Sequence, residues 1–154
     1  MNSVFVVGKN LLKTHNMKKT VQAIIFNENQ EVLAVSRKTD HNDFGLPGGK
    51  VDEGDYQHGL YGPLEAALIR EVKEETGLRI NAESAELIFA IHKDGYMGYT
   101  YLIKAWSGEI ETDEPHVVKW THFSEIMMGS FGRYNTLVGE SLNDMGIKFK
   151  MFAS

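Results

Sequence analysis

One segment, residues 63–77 with the sequence PLEAALIREVKEETG, constrains the fold more than any other part of the chain. Proline suits the first turn of a helix, where its missing N–H would have no partner anyway, and Gly77 suits the C-terminal cap. At about 100° per residue, Leu64, Leu68, Ile69 and Val72 fall on one broad arc. A helix with such a face must bury it against a second layer.

Glu71, Glu74 and Glu75 gather on an adjoining arc, three and four residues apart, so their side chains can converge. Like charges at that spacing repel, and negative charge near a helix C-terminus opposes the macrodipole. Arg70, four residues before Glu74, can neutralise one acid. Taken alone, EVKEE reads as a solvated charged face. Its context is the turn LPGGK at 46–50, followed by the acids of VDEGD. A glycine pair lets backbone carbonyls approach closely, and hard divalent cations take oxygen ligands. A metal site accounts for turn, acids and helix end together.

The remaining chain supplies strands for that helix to cover. TVQAIIF (20–26) and EVLAVSR (31–37) flank NENQ and read as a hairpin; AELIFAIH (85–92), YTYLIKAW (99–106) and HVVKWTHF (116–123) follow. KDGYMG (93–98) reads as a hairpin connection, and 134–145 as a closing helix despite Gly139. A mixed sheet flanked by helices, an α/β arrangement of the α+β kind, is expected. The 154 residues suffice for one ordinary domain. Residues 17–154 are assigned to it, and 1–16 to an N-terminal extension or an extra edge strand.

Composition narrows the function. A net charge of −5 argues against a nucleic-acid surface. The absence of cysteine removes disulfides, thiolate metal sites and cysteine nucleophiles, and fits a cytoplasmic setting. The apolar run Val4 to Val7 is too short for a membrane span. None of the six histidines forms a zinc-type pair.

The block Arg70-Glu71-Val72-Lys73-Glu74-Glu75-Thr76-Gly77-Leu78 after LPGGK resembles the Nudix (MutT-like) pyrophosphohydrolase signature, and matches its second half at every specified position. Gly49 opens the first half, and Asp55 stands where that family has Glu. Fourteen residues instead of seven separate Asp55 from Arg70, an insertion around YQHGLYG. The resemblance implies an α/β/α sandwich with a mixed sheet and a loop-helix-loop catalytic motif. It implies that Glu71, Glu74 and Glu75, with the Gly48 carbonyl, ligate Mg²⁺ or Mn²⁺, and that Arg70 orients Glu71. In the family, the residue at Asp55 supports the Arg-Glu pair; Asp, one methylene shorter, puts that contact in question. Gly49, Asp55 and Gly77 support the motif. Arg37 resembles a position that contacts substrate phosphate, while Phe44 and Tyr96, with Tyr99 and Tyr101, are aromatic rings available to stack on a nucleobase.

The expected activity is Mg²⁺-dependent hydrolysis of a diphosphate linkage in a nucleoside diphosphate derivative, foremost a nucleoside triphosphate giving monophosphate and pyrophosphate. Alternatives are hydrolysis of ADP-ribose, a sugar nucleotide or a dinucleoside polyphosphate, or a non-catalytic nucleotide sensor. The expected partner is a small nucleotide, without nucleic acid or membrane, for a monomer or homodimer.

Overall fold

A computed structural model describes residues 5–7 and 17–153. In chain order the strands are β1 (Phe5–Val7), β2 (Lys18–Ile24), β3 (Val32–Ser36), β4 (Phe44–Gly45) and β5 (Gly48–Lys50), followed by helix α1 (Pro63–Thr76). Then come β6 (Arg79–Ile80), β7 (Glu86–Lys93), β8 (Tyr96–Leu102), β9 (Trp106–Ser107) and β10 (Val118–Thr121), and the helices α2 (Ser124–Met127) and α3 (Gly132–Asp144).

The principal sheet has the order β1-β7-β8-β2-β5; a second has β10-β3-β4, and β6 pairs with β9. Pairing in the principal sheet is mixed, with β2 parallel to β8 and antiparallel to β5. Strand β1 runs parallel to β7 at its far edge, while the rest of 1–16 lies outside the described residues.

Strand periodicity explains the layering. Along β2 and just beyond it, Val21, Ala23 and Ile25 pack with Ala67, Leu68 and Val72 of α1. Ile24, between them, packs with Val138 and Leu142 of α3. Successive side chains leave opposite faces of a strand, so the sheet carries one helix on each side. Ala67 is fully buried, although it lies on the side of the helix that carries the acids, and Ile69, placed on the apolar arc, is only partly buried. A small residue at the interface lets α1 approach the sheet closely enough to touch β5.

Two expectations shift. The hairpin of 20–37 exists at its turn, where the Asn27 side chain accepts from the N–H groups of Asn29 and Glu31. Beyond the Phe26–Val32 bridge the two strands diverge into different sheets. All five residues of β3 are buried, and Leu33 joins one half of the core while Val32 and Ala34 join the other. That strand is covered on both faces and ties the halves together. The β7–β8 hairpin closes on two residues, Asp94 and Gly95, both at positive φ, as a tight primed turn requires.

Candidate active site

The glycine turn forms β5, the edge strand beside β2. Val21 lies opposite Gly49, and antiparallel pairing alternates. Gly48 and Lys50 therefore direct their N–H and C=O groups outward, toward α1. A Cβ on Gly48 would lie 2.1 Å from the Val21 carbonyl oxygen, and one on Gly49 2.4 Å from Cδ of Glu71. Gly49 is what lets the helix come this close to β5, and Gly48 lets β5 lie this close to β2.

Arg70 occupies the centre. Its Nε and Nη2 donate to Asp55 Oδ1 at 3.1 Å and Oδ2 at 2.9 Å. Nη2 also donates to the Lys50 carbonyl at 3.0 Å. Nη1 donates to Glu71 Oε1 at 2.8 Å and to Glu74 Oε2 at 3.5 Å. All five guanidinium N–H groups have acceptors. The Asp55 carboxylate reaches Arg70 despite its shorter side chain, because Glu53–Gln57 forms a 3-10 turn capped reciprocally by Asp52 and Asp55. Asp55 is 5% exposed. Burial alone would raise its pKa, but the bonds from Arg70 and the Asp52 N–H prevail and hold it below the usual carboxylate range. The arginine's own pKa is raised, chiefly by Asp55. The excess residues of the insertion fall beyond this turn, where His58, Gly59 and Leu60 are exposed.

The three glutamates are not gathered as their spacing allows. Among the described residues no group of three acidic or histidine side chains stands close enough to hold a metal ion. Arg70 draws Glu71 and Glu74 to itself, while Glu75 Oε1 accepts the Gly48 N–H at 2.7 Å. Burial, and next the like charges of Glu71 and Glu114, push the Glu75 pKa up to about 8 against the lowering effect of the Gly48 N–H. Burial likewise raises Glu71, with Arg70 opposing. At two half-buried carboxylates the protein alone thus stabilises the charged form poorly. Together with the outward Gly48 carbonyl they form an oxygen-only donor set, and its chemistry fits a hard divalent cation.

A second layer escaped the sequence reading. The strap joining β9 to β10 crosses the C-terminus of α1, whose last carbonyls lack partners within the helix. The Glu111 N–H donates to the Thr76 carbonyl at 2.8 Å, Thr112 Oγ1 to that of Glu74 at 3.0 Å, and His116 Nε2 to that of Glu75 at 2.8 Å. A carbonyl only accepts, so His116 carries its proton on Nε2. Gly77 closes the helix at φ 83°, its N–H on the Lys73 carbonyl. On the same strap, Glu114 pairs with Lys38 at 2.8 Å. The one available signal was the need of α1 for C-terminal donors, which named no particular residues.

The substrate-side candidates are dispersed. Phe44 is 4% exposed and packs in the core, with Lys119 Nζ 4.3 Å from its ring centroid, so it offers no free face to a nucleobase. Tyr101 is buried against α1. Arg37 is exposed at the end of β3, donates to Ser130 Oγ at 3.3 Å and lies 5.8 Å from the ring of Phe131. Phe131, 52% exposed and unremarked in the sequence, presents the open aromatic face that Phe44 does not. Tyr96 sits at the start of β8, beside Lys18 and Lys50.

A NUDIX domain model matches residues 17–136. Among solved structures, a MutT NUDIX hydrolase from Burkholderia pseudomallei is 30% identical, covering 68% of this chain and 81% of its own, with a TM-score of 0.53. A MutT structure described for Aliivibrio salmonicida and Vibrio cholerae is 22% identical over 82% and 98% of the two chains, TM-score 0.64. An ADP-ribose pyrophosphatase from Streptococcus suis is 17% identical over 87% and 96%, TM-score 0.61. The last two speak for the fold alone. A sequence comparison with curated proteins finds no match.

Proposed function

The chain belongs to the NUDIX family of pyrophosphate-splitting hydrolases, and from that premise we propose that it hydrolyses nucleoside triphosphates to a monophosphate and pyrophosphate. The observation that carries the reading is Arg70, whose five bonds fix Glu71 beside the outward edge of the glycine turn.

Glu71, Glu75 and the Gly48 carbonyl would hold a Mg²⁺ or Mn²⁺ ion, with Glu74 at the exposed side. Bound there, the ion would neutralise phosphate oxygens and acidify water, the two obstacles to attack on a diphosphate. Glu71 is our choice of general base, because Oε1 is held by Arg70 while Oε2 has no donor among the described residues. In the balanced step the water oxygen bonds to phosphorus and its proton passes to Glu71. The bridging P–O bond breaks, and its electron pair leaves on pyrophosphate. Phe131 beside Arg37 offers a stacking surface for the base, and Arg37 a cation for phosphate.

The test is a Mg²⁺-dependent screen of nucleoside triphosphates, ADP-ribose, sugar nucleotides and dinucleoside polyphosphates, with products identified. Pyrophosphate released from a triphosphate supports the reading. Faster cleavage of ADP-ribose transfers it to that class, and tight nucleotide binding without turnover makes the protein a sensor.

A further inference from the structure

The face of the principal sheet opposite α1 changes character along its length. At one end Ile24 and Leu102 lie in the core beneath α3. Gln22 and Thr100 follow, both within reach of the hydroxyl of Tyr134 on the first turn of α3. Further on, Thr20 stands across from Gly98 on one side and Lys50 on the other, and Lys18 across from Tyr96. Cross-strand partners share a face, so Lys18, Lys50 and Tyr96 occupy one surface past the start of α3. Both lysines are exposed. Their Nζ atoms lie 5.8 Å and 5.5 Å from the same Tyr96 ring centroid. Among the described residues neither has a carboxylate within ion-pair distance. Two unneutralised ammonium groups steered onto one ring form a locally positive patch in a chain of net charge −5.

That patch adjoins the catalytic turn. Lys50 directly follows Gly49, its carbonyl is held by Arg70, and β5 is the sheet's edge strand. A ligand lying across that edge meets the carboxylates of α1 on one side and the two lysines on the other. We propose that Lys18 and Lys50, set against Tyr96, bind the terminal phosphate of the substrate chain, and so favour substrates ending in a free phosphate over those, such as ADP-ribose, whose diphosphate is capped at both ends. This rests on the proposed diphosphate hydrolysis and adds the group that selects among its substrates. It also gives Tyr96 a different part, as a support for cations instead of a stacking partner for a base.

The experiment compares wild type, Lys18→Gln, Lys50→Gln, the double variant and Lys18→Arg, after melting curves have shown that each is folded. Steady-state kinetics are measured on a nucleoside triphosphate and on ADP-ribose, and binding of inorganic tripolyphosphate by calorimetry at two salt concentrations. Each Gln substitution is expected to raise KM for the triphosphate about tenfold, the loss of one charge-assisted contact, with kcat and the ADP-ribose constants held within about twofold. Lys18→Arg should retain most of the affinity. The double variant should bind tripolyphosphate at least about tenfold more weakly and with a smaller salt dependence. Equal losses on both substrates, or tripolyphosphate binding equal to wild type, would overturn the proposal. If wild type cleaves neither substrate, the hydrolase reading fails, and the tripolyphosphate comparison alone still decides whether the lysines form an anion site.

Discussion

Arg70 spends its donors on acceptors of different kinds, and their removal should have separable effects. Asp55 is the buried partner, so Asp55→Asn should cost about 2 kcal/mol of stability, read from urea unfolding at pH 7. Because the native pKa of Asp55 is depressed, its contribution is full above the ordinary aspartate value of about 4 and is lost as pH falls through the native value. The difference between wild type and Asp55→Asn should therefore shrink steadily between about pH 5 and pH 2; a constant difference would remove Asp55 from the acid transition. Glu75→Gln keeps an acceptor for the Gly48 N–H and should leave the melting temperature nearly unchanged. Its kcat/KM at limiting Mg²⁺ should fall at least about 100-fold; an unchanged Mg²⁺ titration would exclude Glu75 as a ligand.

Among the elements, α1 depends on the strap that crosses its end. Gly77→Ala would force an L side chain to φ 83° and place Cβ 2.2 Å from the Glu111 carbonyl oxygen. A loss of about 2–3 kcal/mol is expected in thermal melts, with activity falling as the strap moves off Glu75. The helix was legible in the sequence because Pro63, the apolar arc and Gly77 bracket the observed span Pro63–Thr76. The strap was not, since donors brought from 35 to 41 residues away to cap a helix leave no local pattern. The 3-10 turn was missed for another reason: the Asp52 and Asp55 capping box is spelled in letters that equally suit a loop. Phe44 misled because a two-residue strand has no periodicity to show which side of its ring is covered.

For the molecule as a whole, closure comes from the C-terminus. Phe149 lies 5.7 Å from Phe26 and 4.8 Å from Phe123 between ring centroids, and the tail backbone exchanges bonds with Gln30, Phe123 and Ser124. Phe149→Ala should lower stability by about 2–4 kcal/mol while leaving KM unchanged, since the ring packs in the half of the core beneath α3 and not in the half that buries α1. The mixed sheet flanked by helices was legible from strand runs and one amphipathic helix, whereas the division of β2 and β3 between separate sheets was not. That division depends on β3 being buried on both faces, which a short apolar run cannot distinguish from burial on one.

The outward rim of β5 has one more implication. Any sheet border invites a stray peptide to add itself as the next strand, and repeated addition ends in fibrils. Here two of the four groups such an intruder would need, the amide of Gly48 and the carbonyl of Lys50, are already claimed by Glu75 and Arg70. Two side chains assigned to chemistry thereby also guard against self-templating. Glu75→Ala, which bares the amide, should form thioflavin-positive aggregates sooner than Glu75→Gln, although both are expected to lose activity.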